Sequence, residues 1–167
     1  MNDTPRPLAD VGRRWADDHG DPDTSVRAAL AGVRDAESYL RAVAALCASR
    51  LLLPIIAGGD DAGDGPDPAR HAEMATVSLR GADGRLALLA FTGLDAVTAW
   101  NRDARPVPGT LDDVAATVAE AGSDVLVIDV AGPSPLEIGP DLLEHLAAGR
   151  RLVELTPGEF GWLAVPR

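Results

Sequence analysis

The sequence predicts an α/β (α+β) fold: a single domain with a mixed β-sheet that contains a β-hairpin and is covered by helices. Three observations carry that prediction. Two strongly apolar runs, Leu51 to Ala57 and Val125 to Val130, have the length and composition of strands buried on both faces. Between them, the alternating segment Met74 to Arg80, the turn signal Gly81-Ala82-Asp83-Gly84 and the apolar run Leu86 to Phe91 form a hairpin pattern. The remaining segments have helical periodicity and good capping residues. A hairpin inserted into a helix–strand alternation makes the sheet mixed and leaves helices to cover it.

Residues 1–23 are polar and turn-rich, and are expected to be a disordered or loosely docked N-terminal arm in which Trp15 is the residue able to dock. Residues 24–167 are expected to form the domain. Thr24 and Ser25 are candidate N-caps for a helix whose face is Val26, Ala29, Leu30 and Val33. Asp35 can cap a second, with Tyr39, Leu40, Val43, Ala44 and Cys47 on one side. Pro54 interrupts the first apolar run and cannot donate to a ladder. It requires either a bulge or a nitrogen turned away from any neighbouring strand. Gly58 to Pro68 is an acidic loop.

Thr92-Gly93-Leu94-Asp95 has capping-box spacing and opens a helix with Leu94, Val97 and Trp100 inward. Arg105-Pro106-Val107-Pro108 should be extended or polyproline-like. Thr110-Leu111-Asp112-Asp113 repeats the capping box, and Gly122 suits the C′ position of that helix. After the second apolar strand comes the turn-rich stretch Gly132-Pro133-Ser134-Pro135. Gly139-Pro140 then opens a helix ending at Gly149. Arg151 to Leu155 and Phe160 to Val165 are expected as short strands at the sheet's edge.

Several of these features, in this order, are familiar. They are Leu52-Leu53-Pro54-Ile55-Ile56, the step Leu89-Ala90-Phe91-Thr92 before a helix closing at Trp100, then Arg105-Pro106-Val107-Pro108, and a strand ending Asp129-Val130-Ala131-Gly132-Pro133. Together, over roughly residues 26 to 150, they resemble the SseB-type N-terminal domain in the form common in actinobacteria. The resemblance implies an α/β domain with a mixed sheet and brings no catalytic residues with it.

Composition excludes several functions. The 167 residues carry 15 basic and 26 acidic side chains, a net charge of −11, which opposes general binding to nucleic acid or to an anionic membrane. All 15 basic residues are arginine, so neither a Schiff-base nor a P-loop lysine exists. Cys47 is the single cysteine and cannot close an internal disulfide. The aromatic side chains, 3 Trp, 1 Tyr and 2 Phe, are too few for a base-stacking surface. Arg13-Arg14 is followed by Trp15-Ala16-Asp17-Asp18 and no apolar run, so no export signal is expected. The apolar stretch Ala42 to Ala57 contains Ser49, Arg50 and Pro54 and is a poor membrane span. A cytoplasmic protein is the expectation.

The candidate sites are few. Asp60, Asp61, Asp64 and Asp67 fail the calcium-loop pattern, because Ala62 and His71 stand where ligands are needed. His71 and Glu73 share one side of a strand but gain no third ligand from His19 or His145. Cys47 falls on an inward helix face. No metal, cofactor or catalytic set is therefore expected. Asp129 breaks an apolar strand, and a carboxylate there must be paired or hydrogen-bonded. The expected partners are the backbone N–H groups of Ala131, Gly132 or Ser134; the other reading is a ligand-facing carboxylate at the sheet's carboxyl edge. Trp100, Arg105 and Pro106 are the candidate partner surface, and Asp129 and Gly132 the candidate ligand site. The leading expectation is a non-enzymatic protein-interaction or scaffold domain, binding a protein partner or itself. The alternative is a small-molecule-binding regulatory domain with a pocket near Asp129 and Gly132.

Overall fold

A computed structural model describes residues 14–57 and 74–164. The acidic loop, His71, Glu73 and the first thirteen residues of the arm lie outside the described residues. In order, the elements are α1 (Thr24–Ala31), α2 (Ala36–Cys47), β1 (Arg50–Ala57), β2 (Met74–Thr76), β3 (Ser78–Arg80), β4 (Leu86–Ala90), α3 (Leu94–Trp100), β5 (Arg105–Thr110), α4 (Leu111–Glu120), β6 (Val125–Ile128), β7 (Leu136–Ile138), α5 (Pro140–Ala147), β8 (Arg150–Thr156) and β9 (Glu159–Ala164).

The caps follow the sequence with two exceptions. Asp35 and Ser38 form a reciprocal box at α2, and Thr110 and Asp113 form one at α4. Gly122 and Gly149 take positive φ just past the ends of α4 and α5, where the left-handed turn would strain any side chain. At α1 the cap is Asp23, one residue ahead of the expected Thr24, because its carboxylate reaches the amides of Ser25 and Val26. At α3 the expected cap, Thr92, is used elsewhere.

Strands β2-β1-β5 and β3-β4-β6-β7 form two sheets, and the only parallel pair among the described strands is β4 with β6. The sheets are stitched together where Leu52 and Phe91 exchange N–H to C=O bonds of 2.8 and 2.9 Å. The expected strand Met74 to Arg80 is broken at Val77, so that β2 pairs with β1 and β3 with β4. The terminal strands β8 and β9 make a separate hairpin instead of lying on the sheet's edge. Leu152, Phe160 and Trp162 pack this hairpin into the helical core.

The stitch also resolves Pro54. Leu52 points its amide and carbonyl at Phe91, away from β5, and residues two apart on a strand point the same way. Pro54, opposite Pro106, therefore turns its nitrogen to the side where β1 exchanges β4 for β2, and no ladder bond is lost. The same alternation turns the nitrogens of Pro106 and Pro108 to the outer edge of β5. That edge lacks donors at two outward positions and is a poor template for an added strand.

One sheet face carries Leu51, Leu53, Leu88, Ala90, Leu126 and Ile128 against α1, α2, α4 and α5. The other carries Leu52, Leu89 and Phe91 against Val97 and Trp100 of α3. Because β4 and β6 run in parallel with Ala90 opposite Ile128, both strands end at the same place. Phe91-Thr92 leaves one and Asp129 the other.

Candidate functional site

Thr92 and Asp129 are buried together at the carboxyl ends of the parallel pair, with relative exposures of 2% and 5%. Asp129 takes a left-handed backbone, φ +50°. Its amide continues the ladder to the Ala90 carbonyl at 3.0 Å, and its own carbonyl accepts the Gly132 N–H at 2.8 Å. This turn carries the chain over Asp129 and leaves the carboxylate facing the neighbouring strand. There it accepts the Thr92 N–H at 2.8 Å and the Thr92 hydroxyl at 2.6 Å. The expected bonds from Ala131, Gly132 or Ser134 to the carboxylate are thus replaced: Gly132 bonds the main-chain carbonyl, and Thr92 holds the side chain.

Because both Thr92 donors go to Asp129, Gly93 becomes the N-cap of α3 without a side-chain cap. Asp95, the other member of the expected capping box, is drawn to α1. It receives both Nη groups of Arg27 at 2.6 and 2.7 Å, while Arg27 Nε donates to Thr92 Oγ1 at 3.0 Å. The guanidinium beside Asp95 holds that carboxyl below the usual range. An Arg–Asp pair this exposed adds little stability by itself, but it fixes α1 and α3 across the end of the sheet.

A second arginine reaches the same threonine. Arg50, at the start of β1, donates to the Thr92 carbonyl at 2.9 Å, to the Asp21 carbonyl at 2.8 Å and bidentately to Asp18. The Leu94 amide donates to the Gly20 carbonyl at 2.7 Å. Residues 18–22 therefore form a strap over the start of α3. The strap leaves no room at Gly93, where a Cβ would lie 2.9 Å from Pro22 Cβ and 2.6 Å from Asp95 Oδ1. Gly93→Ala should displace the strap or the Arg27–Asp95 pair and lower stability by about 1–2 kcal/mol, as overpacking does. Thermal unfolding of the purified variant checks this, and an unchanged Tm contradicts the tight seat of Pro22.

A groove of about 470 Å³ opens beside this network, between α1, α3 and the loop from β6 to β7. Leu30, Ala96, Ala99 and Pro133 form apolar walls, and Arg27, Asp95, Asp129 and Gly132 line it as well. A Cβ at Gly132 would approach the Asp129 carbonyl oxygen to 3.1 Å, so a bare backbone suits this turn. Open sheets with parallel strands commonly hold ligands in such a place.

The structure divides the residues singled out in the sequence. Asp129 and Gly132 meet in the groove. Trp100, Arg105 and Pro106 do not line it. Trp100 is half-buried with its ring 5.5 Å from Phe91, and Arg105 and Pro106 are exposed on the edge strand β5. The sequence reading missed Arg27, Arg50, Asp18 and the role of Thr92. Their spacing along the chain is long, and only the phrase Phe91-Thr92 drew notice. His145 Nδ1 accepts from an Arg150 Nη group at 2.6 Å and its ring stacks on Trp162, away from the groove lining. Burial pushes the Cys47 thiol up to about 11, so it stays protonated at neutral pH. Among the described residues no group of three His, Cys, Asp or Glu converges for a metal, and no helix is long and apolar enough to cross a membrane.

A family model described as the SseB protein N-terminal domain matches residues 26–145. No curated protein and no solved structure matches the chain. The matched span runs from α1 into α5 and contains Arg27, Arg50, Phe91-Thr92, Asp129 and Gly132-Pro133, and it covers more than half of the sequence. The chain belongs to the SseB N-terminal domain family.

Proposed function

We propose that the domain binds a small molecule in the groove beside Asp129 and Gly132 and acts as a regulatory, non-enzymatic module. The carrying observation is the groove's position: it lies just beyond the carboxyl ends of β4 and β6, with apolar walls and a few polar groups converging at one end. Its volume falls within the range that takes a metabolite-sized ligand. The polar groups are already occupied in ways that suit holding over chemistry. Arg27 is paired with Asp95 and donates to Thr92, and Asp129 is held in place by the Thr92 amide and hydroxyl.

Incubation with a small-molecule extract, followed by native mass spectrometry and thermal unfolding, tests this. A ligand at a hundredfold excess over its Kd should raise Tm by about 8 °C. Ala99→Trp, which fills the groove from an exposed position, should abolish both the mass adduct and the shift. Wild type without an adduct, or a variant that keeps it, contradicts the reading.

The scaffold reading draws support from a different place. Leu155 and Leu163 on the β8–β9 hairpin are 62% and 55% exposed, an apolar pair that a second copy of the chain could cover. Sedimentation of the double variant Leu155→Glu, Leu163→Glu against wild type separates the two readings, since a groove ligand needs no change in assembly.

A further inference from the structure

We propose that the groove selects molecules carrying a single positive charge on an apolar body. The inference rests on the groove being the binding site, and it comes from the charge of the wall. Arg27 meets Asp95 with both Nη groups, so an incoming anion finds its guanidinium already paired. Asp129 accepts hydrogen bonds only from neutral donors, the Thr92 amide and hydroxyl, and Arg27 acts on it through space without a direct ion pair. Each of its oxygens accepts one of these bonds and keeps further acceptor capacity. Arg50, the other guanidinium that touches Thr92, is paired with Asp18. The groove wall thus holds one guanidinium and two carboxylates, a net charge of −1, and the carboxylate without a direct ion pair is the one at the buried end.

That charge sits among Leu30, Ala96, Ala99 and Pro133, where water screens it less than at an open surface. An ammonium or amidinium at the polar end is attracted, and a carboxylate or phosphate there is repelled. The alanine and proline walls accept an apolar body and offer it no directional partner.

The test uses three probes with one body and three charges: 1-naphthylmethylamine, 1-naphthalenemethanol and 1-naphthoate. Each is titrated against the full chain by ligand-observed NMR. The amine should bind at least tenfold more tightly than the alcohol, and the carboxylate most weakly. Ala99→Trp should remove the amine's binding, which separates the groove from general attraction to an acidic protein. Asp129→Asn should reduce the amine's advantage at least fivefold. Because that change also alters a structural hydrogen bond, salt provides a second measure in wild type: 0.5 M NaCl should weaken the amine and leave the alcohol unchanged. Equal binding of amine and alcohol overturns the charge selection while leaving the groove reading standing. Binding of all three that ignores Ala99→Trp, or no binding at all, overturns both.

Discussion

Asp129→Ala is expected to cost about 4 kcal/mol and to lower Tm by about 12 °C, the largest effect of any single substitution at the site. The loss has two parts. Truncation leaves the Thr92 amide and hydroxyl without an acceptor at a position only 2% exposed, and each buried orphan donor costs about 1–3 kcal/mol. Alanine at φ +50° adds about 1 kcal/mol of backbone strain that aspartate tolerates better. Two companions separate the parts. Asp129→Gly removes the strain and keeps the orphan donors, so it should lie about 1 kcal/mol above the alanine variant. Asp129→Asn keeps one oxygen for the Thr92 N–H and should lose about 1–2 kcal/mol. Urea unfolding of the four proteins gives the order wild type, Asn, Gly, Ala. If Ala and Gly unfold together, the left-handed turn stores no strain; if Asn is as poor as Ala, the carboxylate's charge matters more than its acceptors.

What the sequence made legible depended on the range of the interaction. Asp35 with Ser38 and Thr110 with Asp113 bond within a single turn, so the Thr110 box was legible from its spacing and the Asp35 cap from its residue type, while the return bond from Ser38 was not read. The two apolar runs became β1 and β6 because burial on both faces is a local compositional demand. Asp129 stood out as a carboxylate in such a run, and the need for a hydrogen-bonding partner followed from burial. Which partner it finds did not follow. Thr92 lies 37 residues away, and its capping-box spacing competed with a tertiary acceptor that the local pattern cannot display. Arg27 and Arg50 were invisible for the same reason: an arginine near a helix start or at the head of an apolar run is ordinary in a chain whose every basic residue is arginine. The β8–β9 hairpin was visible as strands, but its separation from the main sheet depends on packing against α2 and α5.

Arg50→Ala should release residues 18–22 and cost about 3 kcal/mol, the low end for breaking a buried ion pair because Asp18 can move out into water. The Arg50 side chain is 9% exposed and joins three segments: Asp18 and Asp21 of the strap, Thr92 at the end of β4, and β1 itself. Lysine cannot replace it, since one ammonium does not span a bidentate carboxylate and two carbonyls, so Arg50→Lys should recover under half of the loss. The Leu94 amide reports the strap directly, because it donates to the Gly20 carbonyl. Its hydrogen-exchange protection should fall at least tenfold in Arg50→Ala while amides of β4 and β6 hold theirs. Acid should do the same to wild type. The Arg50 hydrogen bond lowers the Asp18 pKa in the fold, so the stabilisation is complete above the unfolded value, about 3.9, and is lost as pH falls through the lower folded value. The strap therefore stays closed from neutral pH to about pH 5 and opens only under stronger acid. In Arg50→Ala the Leu94 protection factor should be low throughout and indifferent to this transition. A Leu94 amide that remains protected in the variant would mean that Pro22, packed over Gly93, holds the strap without the ion pair.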